Sequence, residues 1–521
     1  MARTLARLAQ LAGGSLSGSP ETEVSSIGLD SRSIAPGGVV AGLPGLHAHG
    51  ARFAADTPAA AVLTDAAGVE ILDAAGDTRP RLVVEDIRAV LGDISAEIYD
   101  HPSADLTILG VTGTSGKTTT SYLLEAGLLA AGYQVGLIGT TGTRINRTPV
   151  PTSLTTPEAP KLQELFAQMR DQGVTHVVME VSSHALALGR VKGTRFAVGG
   201  FTNLSQDHLD FHPTMEDYFL TKARLFTGSE AAAAAVICVD DSWGQRLVEL
   251  SRAAGTPTAE VATAEQAVTT NAGKVISTHH TAVEPTGEQH GVLSLEGKDY
   301  EFTVPLPGKF NVANAALAAG MAAAAGVDVE AFLEGVAGVA VPGRMQRVDC
   351  GQDFVAVVDY AHKPAAVAAV LDTLREQIRT SEHPEGRIGI VIGAGGDRDS
   401  SKRPLMGQAA ASRADYVAVT DDNPRTEDPA PIRAAVLAGA KEVAVERDDE
   451  VTLAEYASRA AAIDAAIQWA EPGDAIIVVG KGHEVGQIVG DTVHHFDDRE
   501  EVQRALETKT SGTAPAGKEE A

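Results

Sequence analysis

Residues 106–120, L-T-I-L-G-V-T-G-T-S-G-K-T-T-T, constrain the fold more than any other stretch of the chain. An apolar run with β-branched residues meets a Gly/Thr/Ser turn, then Lys117, Thr118 and a helical pattern of apolar side chains at 122, 123, 124, 128 and 129. That order predicts a strand, a phosphate-binding loop and a helix. Gly113 and Gly116 let the backbone bend so that the N–H groups of 113–119 (Thr114, Ser115 and Thr119 among them) turn toward phosphate oxygens, and the helix adds its positive N-terminal end. Lys117 is then placed to bridge the terminal phosphates of a nucleotide, and Thr118 to ligate Mg²⁺. The strict pattern has glycine where Val111 stands, so the stretch is a variant, T-G-x-x-G-K-T-T. An ordinary glycine-rich turn would not need strand, lysine and helix together.

A chain of 521 residues predicts about three domains with several buried cores. The formal net charge of −27 disfavours nucleic acid and anionic membrane, so a phosphorylated ligand must be met by local Lys, Arg and Mg²⁺. Cys238 and Cys350 stand in unrelated segments without metal-ligand spacing, which fits a reducing compartment and two small core residues. Arg7 and Gln10 break the apolar N-terminus, and no run approaches the roughly 18 apolar residues of a spanning helix. The reading is a cytoplasmic protein without membrane insertion, expected to be a monomer.

The expected class is α/β with three domains. A small α/β domain, 1–103, contains strands at 39–43, 60–63 and 82–84 and ends at His101-Pro102-Ser103. A central phosphate-loop domain, 104–341, is built on a mostly parallel sheet with further strands at 174–181, 197–202 and 235–239, a helix after Asn311, and a hairpin insertion at 257–304. A C-terminal Rossmann-like domain, 342–508, has strands at 355–358, 388–392, 416–420 and 475–479, and 509–521 reads as a disordered tail. Each of those four strands ends in a polar cluster, which describes one crevice beyond the carboxyl ends of a parallel sheet. Gly393-Ala394-Gly395 invites a dinucleotide reading, but the fingerprint needs glycine where Arg398 stands.

Glu180 ends a buried strand, where a carboxylate that orders Mg²⁺ beside a phosphate loop belongs. The segment 202–212, T-N-L-S-Q-D-H-L-D-F-H, is dense in groups able to ligate or hydrogen-bond. With these, T-G-T-S-G-K-T-T, E-V-S-S-H at 180–184, N-L-S-Q-D-H-L-D at 203–210, K-A-R-L-F at 222–226 and G-K-F-N-V-A-N-A at 308–315 follow one another in an order that resembles the Mur ligase family. The resemblance runs from about Asp30 to Glu484. Within the family, D-N-P-R (Asp422, Asn423, Pro424, Arg425) resembles the signature of members that add meso-diaminopimelate to UDP-N-acetylmuramoyl-L-alanyl-D-glutamate.

The resemblance implies an ADP-forming amide ligase whose domains bind UDP-sugar, ATP and amino acid in turn. Lys117, Glu180, His208 and Lys222 would be catalytic, with Thr118, Glu180, His208 and Lys222 about the metal. Asn311, Asn314, Arg344 and Asp359 would lie with the loop near the nucleotide. Lys222 matches the family lysine that becomes N6-carboxylysine, a reaction that needs a neutral amine and turns a cation into an anion. The UDP-muramoyl dipeptide would meet Leu29, Ser31, His47, Ala48, His49, Thr155, Thr156, Ser182 and Arg190; Leu188 stands where some members carry Gln. Diaminopimelate would meet Arg398, Asp422, Asn423, Pro424, Arg425, Gly480 and Glu484, the arginines forking its distal carboxylate and Asp422 or Glu484 receiving its ammonium. A lysine-adding relative should lack D-N-P-R, and a folylpolyglutamate synthetase should lack the UDP-sugar positions. A non-catalytic nucleotide-binding scaffold would have no need of Lys117, Glu180, His208 and Lys222 together.

Overall fold

The computed structural model of the chain describes residues 3–45, 48–264, 274–284, 286–447 and 450–511. Three larger sheets follow one another along it. In the first, the order is Ser15–Ser17, Arg81–Val83, Ala61–Thr64, Gly38–Ala41, Ser26–Gly28, parallel except for the first pair. Helices Leu5–Ala12 and Ile87–Ile98 close one face through Leu5, Leu8, Leu91 and Ile94.

The central sheet has eleven strands, and Thr107–Thr112 lies between His176–Glu180 and Val198–Phe201. From Val135–Gly139 across to Lys274–Val283 every pairing is parallel. Such a sheet needs helices on both faces. Alternation along Thr107–Thr112 sends Leu109 and Val111 into one core with helices Lys117–Ala130 and Lys309–Ala324, and Ile108 into the other with Ala159–Asp171. The segment 257–304 contains the expected hairpin, Gln289–Leu295 with Lys298–Val304, but as part of the central sheet rather than an insertion apart from it. Thr258–Ala262 continues the parallel sheet, and Gln289–Leu295 and Lys298–Val304 add antiparallel edge strands, because the alternating apolar residues are the buried face of that sheet.

The C-terminal sheet is ordered Gln346–Arg347, Val355–Asp359, Ala475–Val479, Ile388–Ile392, Tyr416–Thr420, Thr452–Tyr456, antiparallel only at the first pair. Thr452–Tyr456 was not expected; as a half-exposed edge strand containing Glu455 it lacks the apolar run of its neighbours. The chain moves outward through the strands at 388, 416 and 452 and returns at 475, so the crevice opens where the winding reverses. The expected disordered tail is contradicted at residues 509–511, which are helical. Lys509 lies in helix Asp498–Ser511, its ammonium on the carbonyls of Ile467 and Gln468 at 2.9 and 3.1 Å; 512–521 lie outside the described residues.

Candidate active site

Gly113 (φ 142°) and Gly116 (φ 89°) turn the chain from strand into helix in a backbone conformation that side chains rarely adopt. A Cβ at Gly113 would meet Thr202 Oγ1, and one at Gly116 would meet Asn314 Oδ1. The helix they lead into has no side-chain cap and no acid in its first turn, so its N-terminal N–H groups are left for an anion. The loop is less open than expected: Thr114 N donates to Asn203 O at 2.9 Å and Ser115 N to Asn203 Oδ1 at 3.0 Å. Of the N–H groups expected at phosphate, those two serve the protein instead.

The loop carbonyls gather three ammonium groups. Lys117 donates to Gly113 O and Thr114 O at 2.9 and 3.1 Å, Lys222 to Gly113 O at 2.8 Å, and Lys363 to Thr114 O at 3.0 Å. Lys222 lies in the last turn of helix Met215–Ala223 and is buried over the Tyr218 ring. Burial, with the neighbouring Lys363, brings Lys117 down to about 8. Burial, with Lys117 and Lys363, moves Lys222 well below the usual lysine range. Asp207 pairs with Lys363 at 2.8 Å and with His208 at 3.2 Å. Burial alone would raise the Asp207 carboxyl, but the Lys363 ammonium holds it far below the usual range.

Glu180 accepts from Thr140 N and Oγ1 at 2.9 and 3.0 Å. His208, held neutral by burial, has a left-handed φ of 54° and a ring edge-on to His184; such strained backbone concentrates at functional sites. Among the described residues no three His, Cys, Asp or Glu side chains gather as a metal cluster. The Thr118 hydroxyl accepts from Arg344 at 3.2 Å. Asn314 donates to Asn311 Oδ1 at 3.1 Å, and Asn311 donates to Pro307 O at 2.8 Å, so this pair braces the loop from the side of Gly116. Asp359 accepts from Met345 N and Ala361 N, both at 2.7 Å, and anchors the start of the C-terminal sheet.

Of the positions expected at UDP-sugar, the structure brings Thr155, Thr156, Ser182 and Arg190 together beside Glu180. Thr155 meets Thr140 at 3.2 Å, Thr156 donates to Glu180 O at 2.8 Å, Ser182 caps helix Ser183–Ala187, and Arg190 pairs with Glu158 at 2.9 Å. Leu29 packs in the first core with Ala159, and Ser31 opens the turn Ser31–Ser33. His49 uses both ring nitrogens internally, accepting from Ala51 N and facing Asp65 at 3.1 Å, next to Ala48. His47 lies outside the described residues.

In the C-terminal crevice Arg425 (φ 53°) donates one guanidinium nitrogen to Gly396 O at 2.7 Å. Its backbone pairs with the hairpin strand Gly486–Val489, through Ile488 O at 3.0 Å. Asn423 donates to Glu484 at 2.9 Å, and Tyr360 donates to the same carboxylate at 3.3 Å. Burial and nearby Asp422 raise Glu484. Gly480 (φ 115°) backs directly on Asp422, Pro424 is buried, and Arg398 stays at the rim with one nitrogen on Asp397 O. The reading of the sequence missed Lys363, Asp207, Asn203, Thr140 and the fully buried Lys481, which donates to Asn423 Oδ1 at 3.2 Å. All but Thr140 fall in the clusters singled out at strand ends; only the fold shows which of them turn inward.

This site defines a phosphate-loop α/β protein in which the C-terminal sheet docks against the loop through Lys363 and Arg344. The chain matches the Mur ligase middle domain over residues 111–322 and the Mur ligase glutamate ligase domain over 343–482. A relative from Corynebacterium efficiens, UDP-N-acetylmuramoyl-L-alanyl-D-glutamate--2,6-diaminopimelate ligase, is 58% identical over 97% of this chain and 95% of its own length. The protein of the same name from Streptomyces coelicolor is 48% identical over 94% of each chain. A solved structure bearing that name superposes with a TM-score of 0.67 at 30% identity, covering 98% of this chain and all of the other. The chain belongs to the Mur ligase family.

Proposed function

We propose that the protein is an ATP-dependent, ADP-forming amide ligase that joins meso-2,6-diaminopimelate to UDP-N-acetylmuramoyl-L-alanyl-D-glutamate in peptidoglycan precursor synthesis. The observation that carries the reading is a C-terminal sheet with D-N-P-R in its crevice, docked on the phosphate loop through Lys363 and Arg344, in a chain 58% identical to a ligase of that name. The first sheet, residues 1–103, would hold the UDP-sugar, 104–341 the ATP, and 342–508 the amino acid. The D-glutamyl γ-carboxylate attacks the γ-phosphorus of ATP, the bond to the β-phosphate oxygen breaks, and ADP leaves. The diaminopimelate amine then attacks the acyl carbon and phosphate departs.

Phosphoryl transfer rests mainly on position and charge neutralisation, which suits Lys117 and the uncapped helix behind it. Thr118 and Glu180 offer Mg²⁺ the oxygen donors it takes, a hydroxyl and a carboxylate, and His208 would add a neutral imidazole beside them. Mg²⁺ bound there would offset phosphate charge. Lys222 fits carboxylation because burial among cations disfavours its ammonium, and N6-carboxylysine would replace a charge the cluster repels with an anion. Arg425 engages Gly396 through one nitrogen, and the guanidinium has further donors for a carboxylate. The ligase would work in the cytoplasm as a monomer; among the described residues no helix is long and apolar enough to cross a membrane.

The deciding assay is ADP release with ATP and the UDP-muramoyl dipeptide, adding meso-diaminopimelate, L-lysine or D-alanyl-D-alanine in turn. Release should depend on diaminopimelate. Turnover with lysine alone would move the chain to the lysine-adding branch.

A further inference from the structure

Lys363, besides its electrostatic effect on Lys117 and Lys222, is 7% exposed and crosses from one sheet to another. It follows strand Val355–Asp359 and stands at the N-cap of helix Pro364–Thr380, while both its partners, Thr114 O and Asp207, belong to the phosphate-loop sheet. A trans peptide points its carbonyl and the next N–H in opposite directions. The peptide joining Thr114 to Ser115 is therefore gripped on both edges, by Lys117 and Lys363 on the carbonyl and by Asn203 on the N–H. A buried ion pair is a poor source of net stability, whereas losing one member leaves a buried charge alone. Lys363 and Asp207 thus form a contact whose main product is geometry, made only when the C-terminal sheet is docked.

We propose that Lys363 is a positioning residue for phosphoryl transfer, setting the Thr114–Ser115 peptide of the phosphate loop so that acyl-phosphate formation requires a docked C-terminal domain. The inference rests on the ligase reading above. In the step it serves, the carboxylate oxygen bonds to the γ-phosphorus as the β,γ-bridging oxygen leaves with ADP. Reversal of that step scrambles ¹⁸O placed in the bridge of ATP, and needs the UDP-muramoyl dipeptide but no diaminopimelate.

Lys363→Met should lower scrambling and ligation together by about 100-fold or more, with the KM for diaminopimelate within about twofold of wild type. Lys363→Arg should recover part of both, since it keeps the cation at another shape. The double variant Asp207→Asn/Lys363→Met removes the stranded carboxylate; it should regain the wild-type melting temperature without regaining scrambling. Binding of β,γ-imido-ATP by calorimetry should weaken in Lys363→Met, and solution scattering should show that variant less compact than wild type. Scrambling at the wild-type rate in Lys363→Met, or its return in the double variant, would overturn the proposal. If wild type released no ADP with any acceptor, the ligase reading would fall, while analogue binding and compaction would still judge Lys363.

Discussion

Lys222 and Arg425 carry the sharpest consequences of single side chains. The Lys222 amine sits on Gly113 O in a buried, cation-rich corner that disfavours its ammonium. Lys222→Ala should be inactive, and formate or acetate should restore part of the ADP release by supplying the missing carboxylate oxygens. Full activity without additive would show that the lysine is dispensable. Arg425→Ala should leave the distal carboxylate of diaminopimelate enclosed without a partner, at a cost of about 2 to 5 kcal/mol, or roughly 30- to several-thousand-fold in efficiency. Arg425→Lys should regain only part, because an ammonium lacks the two-pronged geometry. Titrating diaminopimelate and lysine against wild type and both variants tests this; undiminished diaminopimelate use by Arg425→Ala would remove the assigned role.

The phosphate-loop helix Lys117–Ala130 works as an element because nothing local ends its dipole. Gly116 holds a left-handed backbone and leaves no room for a Cβ beside Asn314 Oδ1. Gly116→Ala should therefore lower stability by roughly 1 to 2 kcal/mol through strain and displacement of Asn314, and weaken β,γ-imido-ATP binding by at least about tenfold. Adding Asn314→Ala makes room but leaves the strained φ. The pair should recover stability in urea unfolding without recovering nucleotide affinity, and a fully restored affinity would mean that the glycine serves space alone.

Across the whole molecule, buried imidazoles set how stability responds to acid. Burial lowers His176, His184, His208, His362 and His483 below the usual histidine value. Each binds a proton more readily unfolded than folded, so its contribution is present above about pH 6.5 and is lost as pH falls through that value. Buried Asp359 and Glu484 are raised and act in the opposite sense, but only in the carboxylate range. The urea midpoint of the metal-free protein should fall between pH 7 and 5.5. His176 contributes at most about 1 kcal/mol of that fall, which His176→Gln should remove. A midpoint that is flat or rises on acidification would contradict the burial of these rings.

Sequence by itself determined what depends on near neighbours. The strand Thr107–Thr112, its glycine turn and the helix Lys117–Ala130 were legible because periodicity, φ preference and strand length are properties of a few consecutive residues. Ile388–Ile392, Tyr416–Thr420 and Ala475–Val479 were legible for the same reason, as unbroken apolar runs buried on both faces. Edge strands escape this logic: Thr452–Tyr456 pairs on one side only, and Gly486–Val489 meets Arg425 through backbone that any sequence supplies. Family motifs nominated Lys222, Glu180 and Arg425, yet they could not show that Asn203 takes two loop N–H groups or that His49 has spent both ring nitrogens. Lys363 and Asp207 stand far apart in the chain and read, each alone, as ordinary polar residues at strand ends. Only the docking of one sheet on another buries both, and burial without water makes a pairing that composition and spacing leave open into a fixed geometry.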